Sequence, residues 1–102
     1  MTADEARAVF LALPGAQEGE HHGHPDFRVR NKIFATLWPS KSCAVLRLPP
    51  ELADAFAAED PSNRRIVSRI GDMGWLEVLL ADVSVKEFRS LAEVAIEQRK
   101  QR

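Results

Sequence analysis

Three histidines fall within four residues, His21-His22-Gly23-His24, and form the densest set of metal-ligand side chains in the chain. On an extended strand His22 and His24 share a face, because side chains alternate, and imidazole is a common zinc ligand. A structural zinc takes four protein ligands and a catalytic zinc three plus water. Only Glu20 and Asp26 lie near enough in sequence to add to the set. Polar histidines at a strand edge or in a loop account for the cluster, and no metal is expected.

Nucleophilic chemistry has less to build on. Cys43, the single cysteine, would need a base beside it to lower its pKa. It heads the apolar run Cys43–Leu48, where cysteine behaves as a small hydrophobe. Ser40, Ser42, Ser62 and Ser68 lack a nucleophile-elbow context. Gly71-Asp72-Met73-Gly74 lacks the length, the Lys-Ser/Thr ending and the following helix of a phosphate loop, so it reads as a turn. The helix carboxylates sit at solvent-face spacing. No catalytic residue is expected, and no cofactor.

The arginines are the stronger functional signal. Arg28 and Arg30 alternate along one run, which directs both off the same face, with Lys32 at the turn that follows. Arg65 and Arg69 flank Val67 on one face of a second hairpin, beside Arg64. Guanidinium meets phosphate in two-point geometry, so two basic β-ribbons suit a phosphate backbone. The plainer reading is a solvated sheet face, or an edge guarded by charge against strand pairing. Trp38 and Trp75 are sheet anchors, or rings turned outward to stack on a base or pack on a partner.

These residues need elements to hold them. Thr2-Ala3-Asp4-Glu5 is a capping box, Ala6, Val9, Phe10 and Leu13 follow at helical spacing, and Pro14-Gly15 ends the run. Ser84-Val85-Lys86-Glu87 is a second box, with Val83 and Phe88 placed as a hydrophobic staple. The stripe Phe88, Leu91, Ala92, Ala95 and Ile96 follows, and the basic tail Gln98–Arg102 is expected to fray. A middle helix starts at Pro49-Pro50 and stops at Pro61. Strands are expected over Phe27–Arg30, Ile33–Trp38, Cys43–Leu48, Ile66–Ile70 and Trp75–Leu80, with a weak one over Gln17–His22. In the first hairpin a three-residue loop pairs Val29 with Ile33. That puts Phe27, Val29, Ile33, Ala35 and Leu37 on one face and Arg28, Phe34, Thr36 and Trp38 on the other. The order is helix, three or four strands, helix, two strands, helix, which implies a single α+β domain with an antiparallel sheet covered on one face.

Composition bounds the partners. The chain has 102 residues, 14 Lys plus Arg, 15 Asp plus Glu and a formal charge of −1, unlike a strongly basic nucleic-acid binder. Lone Cys43 excludes an internal disulfide and suits a reducing, cytoplasmic setting. No apolar run reaches the length of about 18 residues that spans a bilayer, and the acidic start does not resemble a signal peptide. The near-zero charge is segregated, however. Residues 26–50 and 61–71 together hold eight bases and one acid, while residues 51–60 hold four acids and no base.

Leu13-Pro14-Gly15-Ala16 with Glu18, His22-Gly23-His24-Pro25-Asp26-Phe27-Arg28-Val29 and Lys32-Ile33-Phe34-Ala35-Thr36-Leu37 resemble the MmcQ/YjbR family. Pro49-Pro50-Glu51, the Gly71…Gly74-Trp75 turn and the last helix continue the likeness over roughly residues 3–97. The resemblance implies a secretion-chaperone-like α+β fold and DNA binding through a double wing, two β-hairpins that straddle the duplex. By position the wings are Phe27–Leu37, with Arg28, Arg30 and Lys32, and Ile66–Leu80, with neighbouring Arg64 and with Arg65, Arg69 and Trp75. The expectation is a non-enzymatic duplex-DNA-binding protein that contacts phosphates weakly and with high salt sensitivity. The alternative is a non-enzymatic module for a protein or small ligand, which uses the same sheet and Trp38 or Trp75 and self-associates as a homodimer. An enzyme would need a deep pocket lined by His22, His24 and a buried carboxylate.

Overall fold

The structure, a computed structural model, describes residues 1–101. Arg102, the last residue of the basic tail, lies outside the described residues. Ten elements follow one another. They are helix α1 (Ala3–Ala12), strands β1 (Gln17–His21), β2 (His24–Val29) and β3 (Lys32–Trp38), a short 3₁₀ turn over Pro39–Lys41, β4 (Cys43–Leu48), α2 (Pro50–Glu59), β5 (Arg64–Ile70), β6 (Met73–Leu79) and α3 (Val85–Lys100). The strands form one antiparallel sheet in the order β1-β2-β3-β4-β6-β5. All three helices pack on one face of it, so this is the two-layer α+β architecture expected.

Local chemistry sets the helix starts. Thr2 and Glu5 complete a reciprocal capping box on α1, with Thr2 N donating to Glu5 Oε1 at 2.8 Å and Glu5 N to Thr2 Oγ1 at 3.1 Å. At α3 only half the box forms. Ser84 accepts from the Glu87 backbone, but the Glu87 carboxylate turns away to Arg64. Val83 and Phe88, the expected staple, are both buried in the core. The end of α3 stays helical to Lys100 rather than fraying, because Arg99 and the Lys100 carbonyl bond back to the β2–β3 hairpin.

Two bulges and two tight turns decide which residues face which layer. The β2–β3 turn is Arg30-Asn31, both left-handed (φ 52° and 62°), a two-residue hairpin and not the expected three-residue loop. Val29 therefore pairs with Lys32 and Arg28 with Ile33, and a bulge then restores Phe27 opposite Ala35. Phe34 is the extra residue, so Phe34 and Ala35 both point into the core while Ile33 turns to the other face. Burial of a phenyl ring under α1 outweighs strict alternation here. The Phe10 ring centroid lies 4.6 Å from that of Phe27 and 5.8 Å from that of Phe34.

The second hairpin carries a matching irregularity. Arg65 pairs with Glu77, but Ser68 rather than Val67 pairs with Trp75, so alternation flips at Val67. Its turn is shorter than expected too, since β6 begins at Met73. Gly71, at φ 62°, supplies the left-handed turn residue. Gly74 serves another end: a Cβ there would lie 2.9 Å from Ala53 Cβ, so its absence lets α2 press on β6.

Candidate functional site

The face of the sheet without helices carries a trough of about 530 Å³. Its floor comes from the outward residues of β3 and β4, Thr36, Trp38, Cys43 and Val45. The β1–β2 hairpin supplies one wall through His21, His22 and His24, and the β5–β6 hairpin the other through Arg65, Ser68, Trp75 and Glu77. Cys43 and Val45 are buried although they face away from the helices, because the walls cover them. The apolar run Cys43–Leu46 is the sequence signal for a strand covered on both faces.

The histidines take a different arrangement from the one expected. His22 and Gly23 form the β1–β2 turn with positive φ (52° and 85°), so His22 and His24 are not on one strand face. His21 is the cross-strand partner of His24 instead. His24 is 8% exposed and stacks on Trp38, ring centroids 3.7 Å apart. Its Nδ1 has no hydrogen-bond partner in the protein. Trp38 Nε1 donates to Thr36 Oγ1 at 3.0 Å, and Lys41 Nζ lies 5.1 Å from the centre of the indole. Among the described residues no group of three His, Cys, Asp or Glu is placed to hold a metal ion.

At the opposite wall Glu77 is fully engaged. Its Oε1 accepts from Arg65 Nε at 2.8 Å and its Oε2 faces Cys43 Sγ at 3.9 Å. Burial, and then the Glu77 charge, push the Cys43 thiol above its ordinary range, which keeps it protonated and poorly nucleophilic.

The basic residues singled out from sequence are dispersed. Arg28 lies on the trough face but is bound at two points to fully buried Asp26, and that bond and charge raise its pKa further. Arg30 sits in the turn and donates to the Lys100 carbonyl at 2.9 Å, so Arg28 and Arg30 do not share a face. Two residues on, Lys32 is exposed at the start of β3. Arg64, 7% exposed, faces the helix layer and binds the Phe56 carbonyl, Glu59 and Glu87. Arg65 faces the trough, while the bulge at Val67 sends Arg69 to the other side, against Asp54 of α2 at 2.6 Å. The expectation that Arg65 and Arg69 flank one face is thereby corrected. Trp75 is half-buried on the trough wall, with the Arg47 guanidinium 5.6 Å from its ring centre.

Sequence reasoning missed a second basic grouping, because its members lie far apart in the chain. Arg99 Nε donates to the Ile33 carbonyl at 3.0 Å, which brings the end of α3 beside Arg30 and Lys32. Burial, followed by the nearby Arg47 charge, lowers the Arg99 pKa, and Asp72 partly offsets this. Arg30, Lys32, Arg47, Arg99 and Lys100 thus gather at one end of the sheet.

A family model described as YjbR matches residues 11–95. A solved structure of similar fold is the crystal structure of Deinococcus radiodurans protein DR2400, with a DUF419 domain. It is 18% identical, with a TM-score of 0.76 over 98% of this chain and 86% of that one. A search of curated proteins returns no match.

Proposed function

The chain belongs to the YjbR family, and on that premise we propose that it is a non-enzymatic binding module whose ligand sits in the trough on the helix-free face of the sheet. The observation that carries this reading is that one trough is lined by both Trp38 and Trp75, which lie on different strands, far apart in sequence. Open apolar surface is costly to leave in water, and concave sites of about 300–1,000 Å³ with a few polar groups are the usual form of small-ligand sites. The expected duplex-straddling wings receive less support. Arg28, Arg64, Arg65 and Arg69 are each held by a carboxylate, and they point to both layers.

Duplex DNA is the second reading, and the grouping of Arg30, Lys32, Arg47, Arg99 and Lys100 favours it. Phosphates would then meet the end of the sheet rather than the two hairpins. Binding there would be weak and salt-limited, since each phosphate contact contributes a slope of about −0.9 to log K against log salt.

Titration of isotope-labelled protein separates the two. A set of small-molecule fragments should shift the amide signals of Trp38, Val45 and Trp75 together. A duplex should shift only Arg30, Lys32 and Arg99, at low salt, with the Arg30→Glu/Lys32→Glu variant abolishing the response. Coordinated shifts of Arg28, Arg65 and Arg69 by duplex would overturn the trough reading and restore the wings. Concentration-dependent sedimentation to a dimer, with loss of fragment binding, would mean that a second copy covers the trough.

A further inference from the structure

We infer that the ligand of the trough is a small planar aromatic anion, a ring system bearing a carboxylate or phosphate. This inference rests on the reading of the trough as a binding site, and it adds the chemistry that site selects.

Shape is the first support. Cys43 and Val45 form a smooth apolar floor, and the indoles of Trp38 and Trp75 stand on the strands to either side of β4. Trp38 is level with Cys43 and Trp75 with Arg47, so their backbones are offset by about 10 Å across the sheet and about 13 Å along it. A flat ring lying on Val45 rests one face on the apolar floor and turns its edges toward the aromatic walls, where the Trp38 indole is already backed by His24.

Charge is the second and independent support. Glu77 is the one carboxylate lining the trough, and its two oxygens are already taken by Arg65 and the Cys43 thiol. Lys41 forms no ion pair among the described residues, and its ammonium hangs over the Trp38 ring at the trough mouth. The side chain of Arg65 is 72% exposed and spends its Nε on Glu77. A ring seated against Trp38 would thus present its substituent to an uncompensated cation. An anionic substituent is attracted, a neutral one is indifferent and a cationic one is repelled.

Polar satisfaction is the third. His24 is more than nine-tenths buried in the wall, and its Nδ1 is unpaired. An unpaired buried nitrogen is unfavourable, and a small shift of the imidazole toward a ligand oxygen would remove that penalty.

Three probes that share one ring system test this: 2-naphthoate, neutral 2-naphthalenemethanol and the 2-naphthylmethylammonium cation. Calorimetry gives their affinities. The two indole N–H signals of labelled protein report the place of binding, since the chain has only two tryptophans and both line the trough. Naphthoate should bind at least tenfold more tightly than the alcohol and shift both indole signals, with the cation weakest. Lys41→Glu should lower naphthoate affinity at least tenfold and cancel the preference, with retained amide dispersion showing that the variant is folded. Equal affinity for all three probes, each shifting the indoles, would overturn the anion selectivity while leaving the trough a binding site. Failure of all three to move either indole signal at millimolar concentration would overturn both the inference and the reading beneath it.

Discussion

Asp26 and Arg28 stand two residues apart on β2 and close a two-point ion pair over Gly19, with Arg28 Nε 2.9 Å from Asp26 Oδ1 and Nη2 3.0 Å from Oδ2. The carboxylate is fully buried and the guanidinium covers it. A residue that looked like a phosphate contact is therefore a lid on an internal charge. The same exchange recurs elsewhere: the base-rich and acid-rich stretches of the sequence find one another in Arg69–Asp54 and Arg64–Glu59.

Gly19→Ala should expose how tightly this pair is packed. The added Cβ would lie 2.8 Å from Asp26 Oδ1 and 3.2 Å from Arg28 Nε, so the pair must shift. A loss of about 1–3 kcal/mol in urea denaturation is expected. Arg28→Met should lower the midpoint more than Arg30→Met, since only the first strands a buried carboxylate. Equal losses would refute the structural role of the pair.

Arg64 ties α2 and the start of α3 to β5, and its side chain is almost wholly buried. Arg64→Met should cost about 1–2 kcal/mol, chiefly because the Phe56 carbonyl loses its donor, while the more exposed Glu59 and Glu87 carboxylates regain water. Trough ligands should bind it unchanged below its unfolding midpoint. A stable variant with altered ligand affinity would contradict this assignment.

Gly74 and Ala53 should be coupled. Gly74→Ala forces two methyl groups to 2.9 Å and should destabilise by about 1–3 kcal/mol. Ala53→Gly alone should cost about 1 kcal/mol through helix propensity. Together the losses should be smaller than their sum, and strict additivity in the double-mutant cycle would rule out the contact.

Cys43 should make stability fall at alkaline pH. Its pKa in the folded protein is raised, chiefly by burial and then by Glu77, so the folded state holds the proton more tightly than the unfolded chain. The contribution is therefore complete below the unfolded thiol value of about 8.5 and is lost as pH rises above it toward the folded value. Cys43→Ala should remove that part of the alkaline decline. Thiol labelling of the native protein should have a midpoint above that of free cysteine, and a midpoint at or below it would exclude the assigned environment.

Much of the architecture was legible because it is local. The Thr2–Glu5 box, the Val83–Phe88 staple and the proline at the start of α2 are short-range devices whose geometry follows from residue type and spacing. The antiparallel sheet and its helix-covered face followed from the succession of hairpins, whereas the β4–β6 pairing that sets the strand order joins strands distant in sequence and did not. The site was legible only in part. Trp75 and Arg65 were named and do reach the trough, whereas the roles of His21, Lys41 and Glu77 there were not read.

Helices and strands, their succession along the chain and the apolar stripe of each helix can be read from residue types alone, since period and capping depend on neighbours within one turn or strand. Which face each strand residue takes depends on contacts across the fold. Strict alternation would align Arg65 with Arg69 and bury Ile33, but the bulges at Phe34 and Val67 each insert one residue and invert everything beyond them. A bulge is favoured by what the displaced side chain meets across the fold, the Phe10 ring for Phe34 and Asp54 for Arg69. Those partners lie 24 and 15 residues away, beyond the reach of any local pattern. That is why the arginines were readable as residues and not as a surface.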